Sequence, residues 1–532
     1  MGSIADLGSE YVIGLNAVNC ETGGWLAREQ VQATSKEKVL DSLHKAATRL
    51  REKLGESVNT VQEFDTPLEQ ATTPSLDALH AYSLGRKAMI QNGDSASAEP
   101  FFRQAIQLDP NFAMAHLSLG LAHYNLREHG LAGESFRKAY ELRARASEWE
   151  KLAIESRYYH SLIGDLISAR QSTELWVQNY PRDAVPVGVL AEIDYQLGQY
   201  ETSLAENREA VRLDPSAMYF ANLAFTYICL NRTQEAQAVV GRALKDKFDD
   251  PEMREAQYAI DFMEANAAGM AQQIAWSVGK PGVESLFLAI EADTAAYSGQ
   301  LTKARGFSRQ AVPSAQTAKE PEAAARFEAG AALHEALFGN ATDAEQRSIA
   351  ALELSKGRDV QFGAALALAI AGNGARAQAL VNDLAKQFPE DTIVQLIYLP
   401  TIQSQLLING GDSSRAIVVL QTAAPHELAT TPDVGLLSLS LYPVYVRGEA
   451  YLAAHSGSEA AVEFRKILDH GGIVGNAPIG ALARLGLARA YALQGEAVKA
   501  HTAYQDFLSL WKNADPDIPV LKEARAEYAK LP

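Results

Sequence analysis

The stretches "SAEPFFRQAIQLDP", residues 97–110, and "LAGESFRKAYELRA", residues 131–144, decide how this chain is read. Laid over each other, they match at a small residue, an aromatic and a second small residue. Those are Ala98, Phe102 and Ala105 in the first stretch, and Ala132, Phe136 and Ala139 in the second, each shifted by 34 (132 − 98, 136 − 102, 139 − 105). Spacings of four and then three put all three on one face of a helix. Leu119-Gly120 in "AHLSLGLAHY" precedes the second copy, with Gly120 twelve residues ahead of Ala132 (132 − 120), and Pro110 closes the first copy. One such helix face is commonplace, but two in a single register indicate a repeat.

The order Leu-Gly, Ala, aromatic, Ala, Pro resembles the tetratricopeptide repeat, a pair of antiparallel helices. Small residues let the two backbones approach, the aromatic fills the gap between one hairpin and the next, and Pro stops the second helix. The marker continues through Ala169 with Pro181, Ser203 with Ala210 and Pro215, and Ala236 with Ala243. It is looser at Ala304 with Ala311, Ala344 with Ala351, Ala377 with Pro389, and Ala416 with Ala423. Gly448, Tyr451, Ala460 and Phe464, then Tyr491, Ala500 and Tyr504, complete it, and residues 251–276 read as one more pair. The expected fold is all-α, a right-handed α-solenoid of about twelve such hairpins. Residues 75–245 form its regular part and residues 246–532 a degenerate continuation. Turns are expected at "GDL", "LGQ", "FGNA", "AGNG" and "QGE", which begin at 164, 197, 338, 371 and 494. Residues 425–443 and 469–478 read as longer loops, either connectors or insertions at a binding face.

The front of the chain reads differently. Residues 11–30, "YVIGLNAVNCETGGWLAREQ", alternate as a β-hairpin, and residues 35–57 as an amphipathic helix capped by Ser35, with Val39, Leu40, Leu43, Ala46, Ala47, Leu50 and Leu54 on its apolar face. Residues 1–57 are thus a short β-β-α segment, half of an α/β unit, and residues 58–74 a linker. An isolated hairpin is marginal in water.

Composition narrows the function. The 47% hydrophobic content supports a packed core. A net charge of −17, from 65 acidic and 48 basic residues, opposes binding to nucleic acid or an anionic membrane surface. Two cysteines, Cys20 and Cys229, offer neither a disulfide framework nor a zinc site and read as small buried hydrophobes. Met1 to Asp6 lack the features of a signal peptide, and residues 392–411 carry too many polar groups for a membrane span. The chain reads as soluble and non-membrane.

Several stretches resemble the C-terminal region of bacterial serine/threonine protein kinases of the acidobacterial type. Among them are "YVIGLNAVNCETG", "ATRLREKLGES", "FDTPLEQATTPSLDALHAYSLG", "SEWEKLAIESRYYHSLIGDL", "NYPRDAVP", "YPVYVRGEAYLAA", "KILDHGGIVGNAPIGALARLGLARAYALQGE" and "LWKNADPDIPVLKEARAEYAKL". In that family a kinase domain and a membrane helix precede a small α/β segment and a tetratricopeptide array. A related arrangement puts a winged helix in front instead. The resemblance implies the back end of a larger signalling protein or a stand-alone relative. The array would be cytoplasmic if it stands alone and extracytoplasmic as the tail of a membrane-anchored kinase.

Kinase chemistry is not carried over. The chain has no G-x-G-x-x-G loop, no H-R-D catalytic loop and no D-F-G, which together hold phosphates, metal and base. "GKPG" at Gly279 lacks the lead of a phosphate loop. His116, His123 and His129 show no metal-ligand spacing, and no G-x-S-x-G elbow occurs. An all-α toroidal hydrolase or lyase would want clustered tryptophans, yet Trp25, Trp149, Trp176, Trp276 and Trp511 are scattered. No catalytic, cofactor or metal residues are expected. The expectation is a non-enzymatic scaffold that takes a protein or peptide in a concave groove lined by the first helices, with self-association as another use. Arrays that hold chaperone C-termini present Lys and Asn there. The corresponding Leu117 and Leu121 favour a more apolar peptide, and the residues that would hold it stay unassigned.

Overall fold

A computed structural model describes residues 2–8, 10–19, 22–55, 73–92, 94–126, 128–430, 436–437 and 439–531. Cys20 and nearly all of the 58–74 linker lie outside them. The chain divides into two compact units, Met1–Leu162 and Ile163–Pro532. This division falls within the stretch 75–245 that reads as one block in the sequence. The fold is an all-α solenoid of helical hairpins with a small sheet at its N-terminal end.

The first unit opens on three strands rather than two: β1 (Gly2–Asp6), β2 (Tyr11–Val18) and β3 (Trp25–Ala33), antiparallel in that order. The extra strand β1 is too short and polar to stand out in the sequence, and pairing with β2, Ile4 opposite Ile13, defines it. Helix Val39–Lys53 covers the sheet with Val39, Leu40 and Ala46 buried, while Leu54 remains exposed. Ser35 makes no capping hydrogen bond, because a single 3-10 turn, Lys36–Lys38, precedes the α-helix. Ile13, Ala33 and Val39 form a small core that Leu76 of the first repeat helix joins. The sheet is therefore stabilised by the array behind it. Two hairpins follow, Leu76–Asn92 with Ser95–Leu108 and Ala113–Asn125 with His129–Leu142, and then helix Glu148–Arg157. Ser147 and Glu150 close a capping box at the start of that last helix.

The second unit begins with helix Leu166–Asn179 and ends with helix Pro519–Tyr528. Among the described residues nine complete hairpins lie between, from Ala184–Gln196 with Tyr200–Leu213 to Pro478–Leu493 with Ala497–Leu510. The stretch 392–411 is a π-helical turn, Val394–Tyr398, running into helix Leu399–Asn409. No helix among the described residues is long and apolar enough to cross a membrane. First and second helices are buried unequally. Helix Pro321–Phe338 buries 14 of 18 residues, whereas its partner Ala341–Leu354 buries 3 of 14. A helix buried all round has no face left for a groove.

The reason is that the second unit closes on itself. Left-handed residues recur at Gly164, Gly198, Asn231, Ala265 and Gly299, at intervals of 34, 33, 34 and 34. At four of these five turns a backbone N–H from far along the chain reaches an acceptor. Thr392 donates to the Gly164 carbonyl at 2.9 Å, and Thr430 to the Gln196 carbonyl at 3.0 Å beside Gly198. Gly472 donates to Asn231 Oδ1 at 2.8 Å, and Asp515 to the Gly299 carbonyl at 3.0 Å. The order is kept on both sides, so one coil of the solenoid lies along the next in parallel register. Carbonyls at helix C-termini lack intrahelical partners, and the neighbouring coil supplies them. A strictly nearest-neighbour stack, as expected from the repeat, is not what the second unit forms.

Candidate functional site

The marker residues lie where the hairpins close. Ala98, Phe102, Ala105, Ala132, Phe136, Ala139, Ala210, Ala236, Ala460, Phe464 and Ala500 are at most 1% exposed, and Leu119, Gly120 and Gly448 are buried with them. Tyr451 and Tyr491 are half-buried. Pro110, Pro181 and Pro215 stand exposed just past the caps Asp109, Tyr180 and Asp214, where a missing N–H costs nothing.

The sequence expectation put the aromatic in the gap between one hairpin and the next; it also packs within its own hairpin. Phe136 lies against Gly120 of its own hairpin, and a Cβ added there would stand 2.6 Å from the ring. Phe102 likewise lies on Gly85, and also packs on Leu119 and Ala122 of the next hairpin. Phe464 sits between Gly448 of its own hairpin and Gly486 of the following one, with added Cβ atoms at 2.8 and 2.5 Å. One ring thus joins three helices.

Described residues of the two loops read as connectors or binding insertions are among those that dock one coil on the other. In residues 425–443, Tyr200 donates its hydroxyl to the Leu428 carbonyl at 2.7 Å, and the Leu436 N–H donates to Glu255 Oε1 at 2.7 Å. Leu437 packs against the cluster of Ala289, Ala311, Ala315, Ala323, Ala324 and Phe327. In residues 469–478, Asn476 Nδ2 donates to the Ile290 carbonyl at 2.9 Å. Within the second unit, then, the chain itself lies over the face that the sequence assigns to a groove. In the first unit Leu117 is buried at 3% exposure and Leu121 is half-buried, so Leu117 presents no side chain to a peptide. Sequence spacing offered no signal for this, because a buried inner helix and a groove-lining one carry the same pattern.

Several ionisable groups buried in the second unit are held in pairs. Arg447 is held between Glu427 and Glu463, both at 2.5 Å, and Lys466 reaches Glu427 at 2.7 Å. Arg305 grips Glu335 with two bonds of 2.7 Å. Arg358 pairs with Asp391, and Tyr398 donates to Asp359 at 2.6 Å. Arg170 holds Asp194 at 2.6 Å, and burial followed by the Asp194 charge pushes the Glu206 carboxyl up to about 8. These pairs brace helices internally; their geometry offers neither an open cleft nor a nucleophile beside a base. Among the described residues no group of three His, Cys, Asp or Glu could hold a metal ion. Burial lowers the pKa of both His116 and His123, and His116 Nε2 lies 3.1 Å from the Pro110 carbonyl oxygen. The side chain of His129 is outside the described ones. Cys229 is buried, its sulfur 3.2 Å from the Tyr195 hydroxyl.

The family model for the tetratricopeptide repeat matches residues 87–147. The matched stretch carries the Ala98–Phe102–Ala105 and Ala132–Phe136–Ala139 faces. No curated protein matches the chain. Among solved structures, MamA from Desulfovibrio magneticus RS-1, from its residue 41 to the end, is 19% identical. That match covers 32% of this chain and 95% of that MamA fragment at a TM-score of 0.23. A tetratricopeptide repeat protein from Parabacteroides merdae ATCC 43184 is 17% identical over 64% of this chain and 98% of its own, at a TM-score of 0.21.

Proposed function

We propose that the chain is a non-catalytic scaffold for protein–protein interaction, the regulatory part of a bacterial serine/threonine kinase-type signalling protein. The observation that carries the scaffold reading is the repeat itself: two consecutive hairpins in one 34-residue register, at the residues the tetratricopeptide family model matches. Such arrays expose long, regular surfaces suited to other proteins. The kinase link rests on the sequence resemblance. With the inner helices of the second unit covered, partners are assigned to the outward second helices, where Ile167, Leu175, Val418, Val462 and Val498 are exposed. A second copy of the chain is one such partner. The acidic surface favours protein over nucleic acid.

Two measurements test this. Purified chain incubated with ATP, magnesium and a general protein substrate is expected to transfer no phosphate; transfer above a control preparation would overturn the non-catalytic reading. The reading frame upstream of Met1 is expected to encode a kinase domain. A winged helix or a stop codon there would remove the kinase link and leave the scaffold reading standing.

A further inference from the structure

In the second unit a recess of about 410 Å³ opens between two of the coil-to-coil contacts, those at Gly198 and Asn231. That volume lies within the usual range of small-molecule sites, roughly 300–1,000 Å³. Its floor is made by Tyr200, Cys229 and Ile473, which are 4%, 5% and 6% exposed. Burial pushes the Cys229 thiol up to about 12, so the floor is uncharged at neutral pH. The Tyr200 hydroxyl hydrogen is already given to the Leu428 carbonyl.

The rim is the reverse in character. Glu201 and Asp469 line it, and among the described residues no Lys or Arg does. Glu201 is paired with Arg232 at 2.5 Å, whereas the Asp469 carboxylate makes no ion pair among the described residues. His470 Nδ1 faces the Lys466 carbonyl oxygen at 2.8 Å and must donate to it, leaving Nε2 of the neutral ring as an acceptor. Asn231 donates one amide N–H to the Asp469 carbonyl at 2.8 Å and accepts from Gly472, which leaves its second N–H as a donor. Gln199, Thr202 and the second N–H of Asn231 can donate, so what distinguishes the rim is the Asp469 carboxylate, the lining charge without an ion-pair partner among the described residues. An uncharged floor below a rim whose unpaired charge is a carboxylate fits an ammonium group on an apolar body.

We infer that this recess binds a small organic amine, its ammonium at Asp469 and His470 and its apolar body over Tyr200, Cys229 and Ile473. Both coils contribute to the walls, so a bound amine braces the closed form of the second unit.

Isothermal titration of the full chain at physiological salt tests the inference with phenethylamine, its neutral analogue 2-phenylethanol and the anion 3-phenylpropionate. The amine is expected to bind saturably and about tenfold more tightly than the alcohol, the size of one charge-assisted hydrogen bond, and the anion more weakly still. Asp469→Asn, at an exposed position, is expected to remove the advantage of the amine over the alcohol without changing the thermal midpoint. Ile473→Phe is expected to block both ligands. No saturable binding of the amine, equal binding of amine and alcohol, an unchanged advantage in Asp469→Asn, or unchanged amine binding in Ile473→Phe would each overturn it.

Discussion

The ring of Phe136 occupies the space that a side chain at Gly120 would take, its Cδ1 and Cε1 each 2.6 Å from where a Cβ would stand. The glycine of one helix and the aromatic of the next are thus two halves of one contact. The same fit recurs at Gly85 with Phe102 and at Gly448 with Phe464.

From this contact, Gly120→Ala is expected to push the ring out of place and cost about 1–3 kcal/mol, as overpacked cores do. Phe136→Ala leaves a cavity instead and costs about 3–5 kcal/mol. Hydrogen exchange is expected to quicken within the first unit, up to Leu162, while amides near Tyr504 keep their protection. Uniform loss of protection would mean that the chain folds as one cooperative block.

Gly198 answers for the seam. Its φ is +77°, and an added Cβ would meet the Leu428 carbonyl carbon at 2.8 Å. Gly198→Ala is therefore both strained and crowded, with backbone on each side of the clash. Faster exchange at Thr430, whose N–H reaches the Gln196 carbonyl, is the expected result. Unchanged exchange there would show that the two coils are held without this turn.

At the next turn Asn231 combines a left-handed backbone, φ +57°, with two hydrogen bonds across the seam. Asn231→Ala loses both bonds and strains the backbone, whereas Asn231→Gly loses the bonds alone. Unfolding by urea is expected to show a loss of about 1–2 kcal/mol in the alanine variant and less in the glycine variant. Equal losses would assign the whole effect to the hydrogen bonds.

Glu206 links stability to pH. Its carboxyl is pushed up to about 8, first by burial and then by Asp194, from an ordinary value of 4.5. Between those values the folded chain keeps a proton that the unfolded chain releases, so this group's contribution to stability falls as pH rises. Glu206→Gln keeps an uncharged group of similar shape. Its urea midpoint is expected to fall less than the parent's across that window and to exceed it above the window. Parallel curves would show that Glu206 titrates normally.

How much of this was legible depends on the range of each interaction. The hairpins were legible because helix faces repeat within a few residues: Ala98, Phe102 and Ala105 lie on one face by spacing alone. Turns such as Gly164, Gly198 and Gly372 were legible because few residues other than glycine adopt positive φ easily. Strand β1 was missed because five residues, all exposed, carry no alternation; only pairing with β2 makes them a strand.

By itself the sequence determined the unit of construction, the 34-residue hairpin, and roughly where each one begins and ends. It could not determine that residues 181 to 241 positions apart would meet in the second unit. Three of those contacts run wholly through backbone amides and carbonyls, at Gly164, Gln196, Gly299, Thr392, Thr430 and Asp515. Backbone groups are alike in nearly every residue and leave no pattern of side chains to read. Small changes in the rotation from one hairpin to the next add up along a solenoid, and their sum sets whether its coils touch or stand apart. Tertiary structure alone therefore decided that the inner helices are covered, that described residues of the long loops dock on the facing coil, and that a recess opens between the coils.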